Sequence, residues 1–197
     1  MIKPWRKHGK KVDYDCGFFQ IHVHQSSSPL TGKKHPFYIL NTRDWINVIA
    51  LTEAGRVIFV RQFRHGSEEV SLEIPGGAVD PRDRGPLQAA RRELLEETGH
   101  RASRWVLLGK AQPNPAILNN SCYIYLALGA RKVSGLRLDE AEELEVVLKD
   151  LKDIPKLIRR GGIRHALVVA AFHYFHLYQK QHPGKAGTKT LKPSRPA

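Results

Sequence analysis

Two nearly unbroken apolar runs, a glycine-flanked strand-loop-helix unit and a long apolar helix pattern near the C-terminus predict an α/β fold, an α/β/α sandwich around a mixed sheet, for this 197-residue chain. The runs are Trp45-Ile46-Asn47-Val48-Ile49-Ala50-Leu51 and Arg56-Val57-Ile58-Phe59-Val60, separated by the turn Glu53-Ala54-Gly55. Strands apolar on both faces belong in a sheet covered on both faces. One covering helix comes from the unit between Gly76 and Gly99, the other from residues 163 to 178.

Length and composition agree with one globular domain and a small N-terminal extension. Hydrophobic residues make up 41% and charged residues 26% of the chain, ordinary values for a soluble fold. The net charge of +13 is unusual and is concentrated at the ends: residues 1 to 11 carry +5 and residues 183 to 197 carry +4, with no acid in either segment. Both ends read as solvated tails with a weak attraction for polyanions, and the body between them as only mildly basic. The two cysteines, Cys16 and Cys122, have no metal-ligand spacing and read as buried, reduced thiols of a cytoplasmic protein. No apolar run reaches membrane-spanning length, and the basic N-terminus leads into Asp13 and Asp15 rather than an apolar signal core.

In chain order, residues 16 to 25 alternate apolar and polar from Phe19 onward, a strand pattern with Gln20, His22 and His24 on its wetter face. After the turn-forming stretch 26 to 34, Phe37-Tyr38-Ile39-Leu40 reads as the returning strand of a hairpin. The two apolar strands follow, and then Leu72-Glu73-Ile74-Pro75 leads into Gly76-Gly77. Pro86 opens a helix of about three turns and Gly99 closes it. Trp105 to Gly109 and residues 121 to 128 are further strands. Residues 150 to 160 form a short helix, Gly161-Gly162 break it, and the long helix begins at 163. Trp45, with Phe37 and Tyr38, can stack on a base, and Asn119 and Asn120 offer amide donors and acceptors.

The helix after Pro86 carries two stripes. Leu87, Ala90, Leu94 and Thr98 recur at helical spacing and form the packing side. Glu93, Glu96 and Glu97, at i, i+3 and i+4, project from the neighbouring side. Three carboxylates this close repel unless cations neutralise them. Hard oxygen ligands beside loop carbonyls suit Mg²⁺, with Mn²⁺ as a substitute, rather than zinc.

The run Arg92-Glu93-Leu94-Leu95-Glu96-Glu97-Thr98-Gly99 resembles the second half of the Nudix box without a gap. The first half departs from it: the sixth residue after Gly77 is Asp83 where the pattern has Glu, one extra residue lengthens the loop before Arg92, and His100 stands at the final aliphatic position. Arg61-Gln62-Phe63-Arg64 followed by Glu73-Ile74-Pro75-Gly76-Gly77 is similar to the branch of that family acting on ADP-ribose and nucleoside diphosphate sugars. The resemblance implies a Nudix hydrolase domain over 45 to 182. A β-hairpin extension over 12 to 44, of the kind that commonly helps build a homodimer, would precede it. Basic tails over 1 to 11 and 183 to 197 would complete the chain.

The same resemblance implies a metal site of Glu93, Glu96, Glu97 and the Gly76 carbonyl, and an arginine, Arg92, that orients the glutamates. It further implies a substrate-binding set of Arg64, Arg61 and Glu73, to which Trp45 and Asn119 are added from their chemistry. A catalytic base is expected in the acidic stretch Asp139-Glu140-Ala141-Glu142-Glu143-Leu144-Glu145-Val146, with Glu140 as first choice and Glu142 as second. The implied activity is Mg²⁺-dependent cleavage of ADP-ribose, or a related nucleoside diphosphate sugar such as GDP-mannose, to a nucleoside monophosphate and a sugar phosphate. Two alternatives accompany it: a pyrophosphohydrolase of RNA 5′ ends, which the charge favours and the Gln-Phe-Arg run opposes, and a non-catalytic nucleotide sensor, which the intact box glutamates oppose. Neither a membrane nor a specific nucleic-acid partner is expected.

Overall fold

The computed structural model describes residues 1–138 and 143–183. The chain divides into two compact units, one of Met1–Asp44 with Gln112–Cys122 and one of Trp45–Ala111 with Tyr123 onward.

The first unit is a three-stranded antiparallel sheet in the order β1-β2-β3, formed by Arg6–Asp15, Gln20–Ser27 and Lys34–Asn41. The hairpin expected from sequence is β2 and β3, joined in full register from Gln20 opposite Asn41 to Ser27 opposite Lys34. Strand β1 corrects the expected N-terminal tail, because most of residues 1 to 11 lie in it. Its lysines point to solvent, every one of its residues is exposed, and the ladder to β2 holds it rather than burial. His22 also departs from its expected wet face: it is buried at 6% exposure and bonds Gln20 at 2.9 Å. Cys16 is exposed, contrary to expectation. Cys122 is buried, and burial first, with Asp44 second, pushes its thiol up to about 12.

The second unit is built on an eight-stranded sheet. Its members are β4 (Trp45–Thr52), β5 (Arg56–Arg64), β6 (Glu69–Glu73), β7 (Gly76–Ala78), β8 (His100–Arg101), β9 (Arg104–Ala111), β10 (Cys122–Lys132, its first residue in the other unit) and β11 (Leu144–Asp150). The backbone order is β11-β5-β4-β10-β8, with β6 on β5, β7 on β4 and β9 on β10. Helix α1 is Pro86–Thr98, α2 is Ile154–Arg159 after a single 3-10 turn at Leu151–Asp153, and α3 is Ala166–Gln181. The single helix expected over 150 to 160 is therefore this turn plus α2, with Pro155 in the first turn of α2, where its missing N–H costs nothing.

Strand alternation sorts the sheet's faces. Ile46, Val48 and Ala50 of β4, with Ile58 of β5, pack against Ala89, Ala90 and Leu94 of α1. The intervening residues Ile49, Leu51, Val57 and Phe59 face the other way, where Phe59 stacks on Phe172 of α3 at 5.9 Å between ring centres. Both central strands are thus buried on both faces, and the sandwich is formed with α1 and α3 as its outer layers.

Gly99 ends α1 in the left-handed conformation at φ 70°, and its N–H donates to the Leu95 carbonyl at 2.8 Å. The next segment fastens to the same end: Val133 and Ser134 donate to the Gly99 carbonyl at 2.8 and 3.2 Å, and Arg137 donates to the Glu96 carbonyl at 2.8 Å. A Cβ on Gly99 would run into the Ser134 carbonyl. Gly99→Ala should therefore cost about 1–2 kcal/mol from the left-handed backbone alone, and more from the collision. A urea midpoint that falls with an unchanged m-value is the expected readout.

Candidate active site

The site begins with two glycines that hold a turn against a helix. Strand β7 pairs with β4, Gly76 opposite Asn47 and Gly77 opposite Ile46. At Gly76 a side chain would strike the Asn47 amide and the Ile46 carbonyl; at Gly77 it would strike the Glu93 carboxylate. The absence of Cβ atoms is what lets the turn and the carboxylate face of α1 approach each other. Glu97, only 3% exposed, accepts the Gly76 N–H at 3.1 Å and so ties helix to turn.

Arg92 gathers the remaining carboxylates. Its Nε and Nη2 fork onto Asp83 at 3.3 and 2.9 Å, its Nη1 reaches Glu93 at 2.9 Å and Glu96 at 3.0 Å, and Nη2 also donates to the Ala78 carbonyl at 3.1 Å. A planar fork makes this pattern possible; a lysine could not span it. Burial works against the charge on Arg92, but Asp83, Glu93 and Glu96 outweigh it and raise its pKa. Burial likewise raises the Asp83 carboxyl, while Arg92 and the Asp80 N–H bring it below its ordinary value.

Arg92 meets three carboxylates, Asp83, Glu93 and Glu96, with one positive charge. The donors are hard oxygens next to a turn stripped of side chains, which fits a divalent cation of the Mg²⁺ type. Among the described residues no three such side chains already stand in ligand geometry. Glu93 and Glu96 are engaged by Arg92 instead, so a cation would have to compete with that hold.

A second ion pair lies further back along the strand that leads into the turn. Arg64 at the end of β5 forks onto Glu73 of β6, Nε to Oε1 at 2.9 Å and Nη2 to Oε2 at 2.7 Å. Glu73 is 3% exposed; burial pushes its carboxyl up, yet Arg64 and, 4.0 Å away, His165 bring it below its usual range. Arg61 pairs with Glu145 at 3.1 Å and borders a cavity of about 270 Å³ whose other walls are Val70, Leu72, Lys149, Leu157 and Gly162.

Of the residues expected from sequence, Arg92, Glu93, Glu96, Glu97 and Gly76 come together in one cluster, and Arg64 and Glu73 in a neighbouring pair. Trp45 sits opposite Ala78 at the edge of the turn. Asn119 belongs to the other unit, where it donates to Asn41 at 2.7 Å and accepts from Thr42 at 3.4 Å. Glu140 and Glu142 lie outside the described residues. The sequence left Asp83 unassigned, gave Glu145 no role beyond its place in the acidic stretch, and passed over His165. Asp83 carried a signal, since it stands at an acidic position of the box pattern.

The chain is similar to known proteins. The NUDIX domain model matches residues 42–172. An ADP-ribose pyrophosphatase of Bacillus subtilis (strain 168) is 32% identical over 133 residues, covering 67% of this chain and 71% of its own length. A CMP-5'-(N-acetyl-N-hydroxy-3-aminopropyl)phosphonate hydrolase of Streptomyces rubellomurinus is 30% identical over 158 residues, covering 80% and 75%. Among solved structures, one described as the crystal structure of an ADP compounds hydrolase superposes with a TM-score of 0.82 at 20% identity, over 93% of this chain and 98% of the other; it shows a shared fold.

Replacing Arg92 by Ala strips the fork from Asp83, whose side chain is 4% exposed. That should cost about 3 kcal/mol in chemical denaturation, as loss of one partner of a buried pair does. Glu73 and Asp83 are both held below their ordinary values of 4.5 and 3.8. Their contribution to stability is complete above those values and is lost as pH falls through the lower folded ones. Denaturation midpoints across the acid range should show this limb, and Glu73→Gln should flatten it.

Proposed function

On the premise that this chain belongs to the NUDIX domain family, we propose that it is a Mg²⁺-dependent pyrophosphohydrolase that splits ADP-ribose or a related nucleoside diphosphate sugar. The observation that carries the reading is the carboxylate face of α1 held against a side-chain-free turn, with Glu97 bonded to Gly76 and Arg92 spanning Asp83, Glu93 and Glu96. Similarity to relatives that carry the name ADP-ribose pyrophosphatase supports the substrate class.

Glu93, Glu96, Glu97 and the Gly76 carbonyl would hold the cation, which when bound neutralises a diphosphate and makes water more acidic. The chain's own groups do the rest. Arg92 keeps the glutamates from repelling one another and fixes their direction. Arg64, 44% exposed at its side chain and forked onto Glu73, would balance charge on a phosphate. Arg61, paired with Glu145, lines a cavity with Lys149 and would add positive charge for the substrate. Trp45, opposite Ala78, offers a ring for the base. Water oxygen bonds to one phosphorus, the bridging P–O bond breaks, and the water proton passes to Glu140 or Glu142 and on to solvent.

The reading extends to a cytoplasmic homodimer in which residues 45 to 182 form the hydrolase domain and the N-terminal sheet is an extension of it. The outer edge of β1, at the end of the order β1-β2-β3, offers unpaired backbone groups for a second copy.

Monophosphate release should be measured with Mg²⁺ on ADP-ribose, GDP-mannose, UDP-glucose and 5′-triphosphorylated RNA. The expected result is turnover of at least one nucleotide sugar. Release from the RNA alone, or from none, overturns the proposal. Glu97→Gln should lower kcat by about 10³-fold, the several kcal/mol that charge neutralisation at phosphorus supplies. An unchanged rate would remove Glu97 from the site.

A further inference from the structure

The small N-terminal unit carries a charge that the hydrolase reading does not use. Residues 1 to 44 hold eight Lys and Arg against three Asp, together with four of the chain's ten histidines. Strand register decides where these fall. Reading across β1, β2 and β3, Lys7 lies opposite Ser26 and Ser26 opposite His35; Lys10 lies opposite His24 and His24 opposite Phe37. Residues directly opposite one another share a sheet face, so these two rows put Lys7, Lys10, His24, His35 and Phe37 on the same side.

Side-chain geometry agrees. Lys7 Nζ approaches His24 Nε2 to 3.5 Å, and Trp5 stands edge-on to His35 at 5.9 Å and to Phe37 at 5.1 Å between ring centres. Trp5 is 44% and Phe37 40% exposed, and Lys7, Lys10 and His35 lie open to solvent. Among the described residues neither Lys7 nor Lys10 forms an ion pair; the nearby acid Asp13 is taken by Lys11 at 2.9 Å. Cations are therefore crowded together on this face, and burial first, then Lys7, His22 and Lys10, lower the pKa of His24.

We infer that this face of the β1-β2-β3 sheet binds single-stranded RNA, with Lys7 and Lys10 on phosphates and Trp5 and Phe37 against bases. A sheet face with lysines on one edge strand and aromatic rings on and beside the other meets both repeating parts of an unpaired strand. Imidazole nitrogens of His24 and His35 can donate and accept, as pairing with a 2′-hydroxyl requires. A second copy of the same face is a poor occupant, since a two-fold contact would set the Lys7 and Lys10 patch against the same patch of its mate. The outer edge of β1 is left open by RNA on this face.

The test uses the full-length chain and a fluorescein-labelled oligouridylate, followed by anisotropy at several salt concentrations. Binding is expected to fall with salt. In the double variant Lys7→Ala/Lys10→Ala the log–log salt slope should drop by about 0.7 for each phosphate that no longer meets a cation. Trp5→Ala should weaken binding by about ten-fold or more, as removal of one stacking ring does. Both variants should keep the parent's thermal midpoint and hydrolytic rate, which separates loss of the surface from loss of fold. Changing Lys185, Lys189 and Lys192 to Ala should leave the affinity in place. The inference is overturned if the sheet variants bind like the parent or if the C-terminal changes abolish binding. It is equally overturned if the DNA homologue binds equally well, if vesicles containing phosphatidylserine compete as strongly as RNA, or if Trp5→Ala instead dissociates an oligomer in sedimentation.

Discussion

The structure around the candidate site depends on one guanidinium. Without Arg92, four carboxylates at the junction of a turn and a helix would repel one another in surroundings where Asp83 is almost wholly enclosed and water can do little to screen it. With it, Asp83, Glu93 and Glu96 are spaced around a rigid fork, and the Ala78 carbonyl fixes the fork to the turn. The charge of Arg92 holds together three carboxylates that outnumber it. An arrangement that holds together by itself and still attracts a cation is what a hydrolase of phosphate anhydrides needs from its own side chains.

Glycine is the other half of that constraint. Strand β7 approaches the helix closely because its first two residues have no Cβ, and Glu97 then bonds directly to the backbone. Core packing of Ala89, Ala90 and Leu94 beneath Ile46 and Val48 sets the helix at that depth. The polar face is thereby placed by the apolar one, and a shift of the core would move ligand atoms as surely as a change of the glutamates themselves.

Much of this was readable from the sequence because it is local. Helical spacing put Glu93, Glu96 and Glu97 on one side, the glycines and Pro86 marked the ends of α1, and unbroken apolar runs marked β4 and β5 as central strands. What escaped was held by partners distant in sequence. Strand β1 looks like a charged tail, since its pattern has no apolar alternation, and only the ladder to β2 makes it a strand. Asp83 looked like a departure from a motif until the fork of Arg92, nine residues on, gave it a role. Arg64 read as a free phosphate ligand; its fork onto Glu73 depends on the pairing of β5 with β6.

The fastening of Val133, Ser134 and Arg137 to the last turn of α1 acts as a tether. Arg137 is held by the backbone of Glu96, whose side chain belongs to the carboxylate cluster, and the acidic stretch starts two residues later. Helix α1 and the segment 133 to 137 are thus moored at a common point. Lengthening the chain between 134 and 137 would let out slack there, while any rotation of the helix would drag the mooring with it.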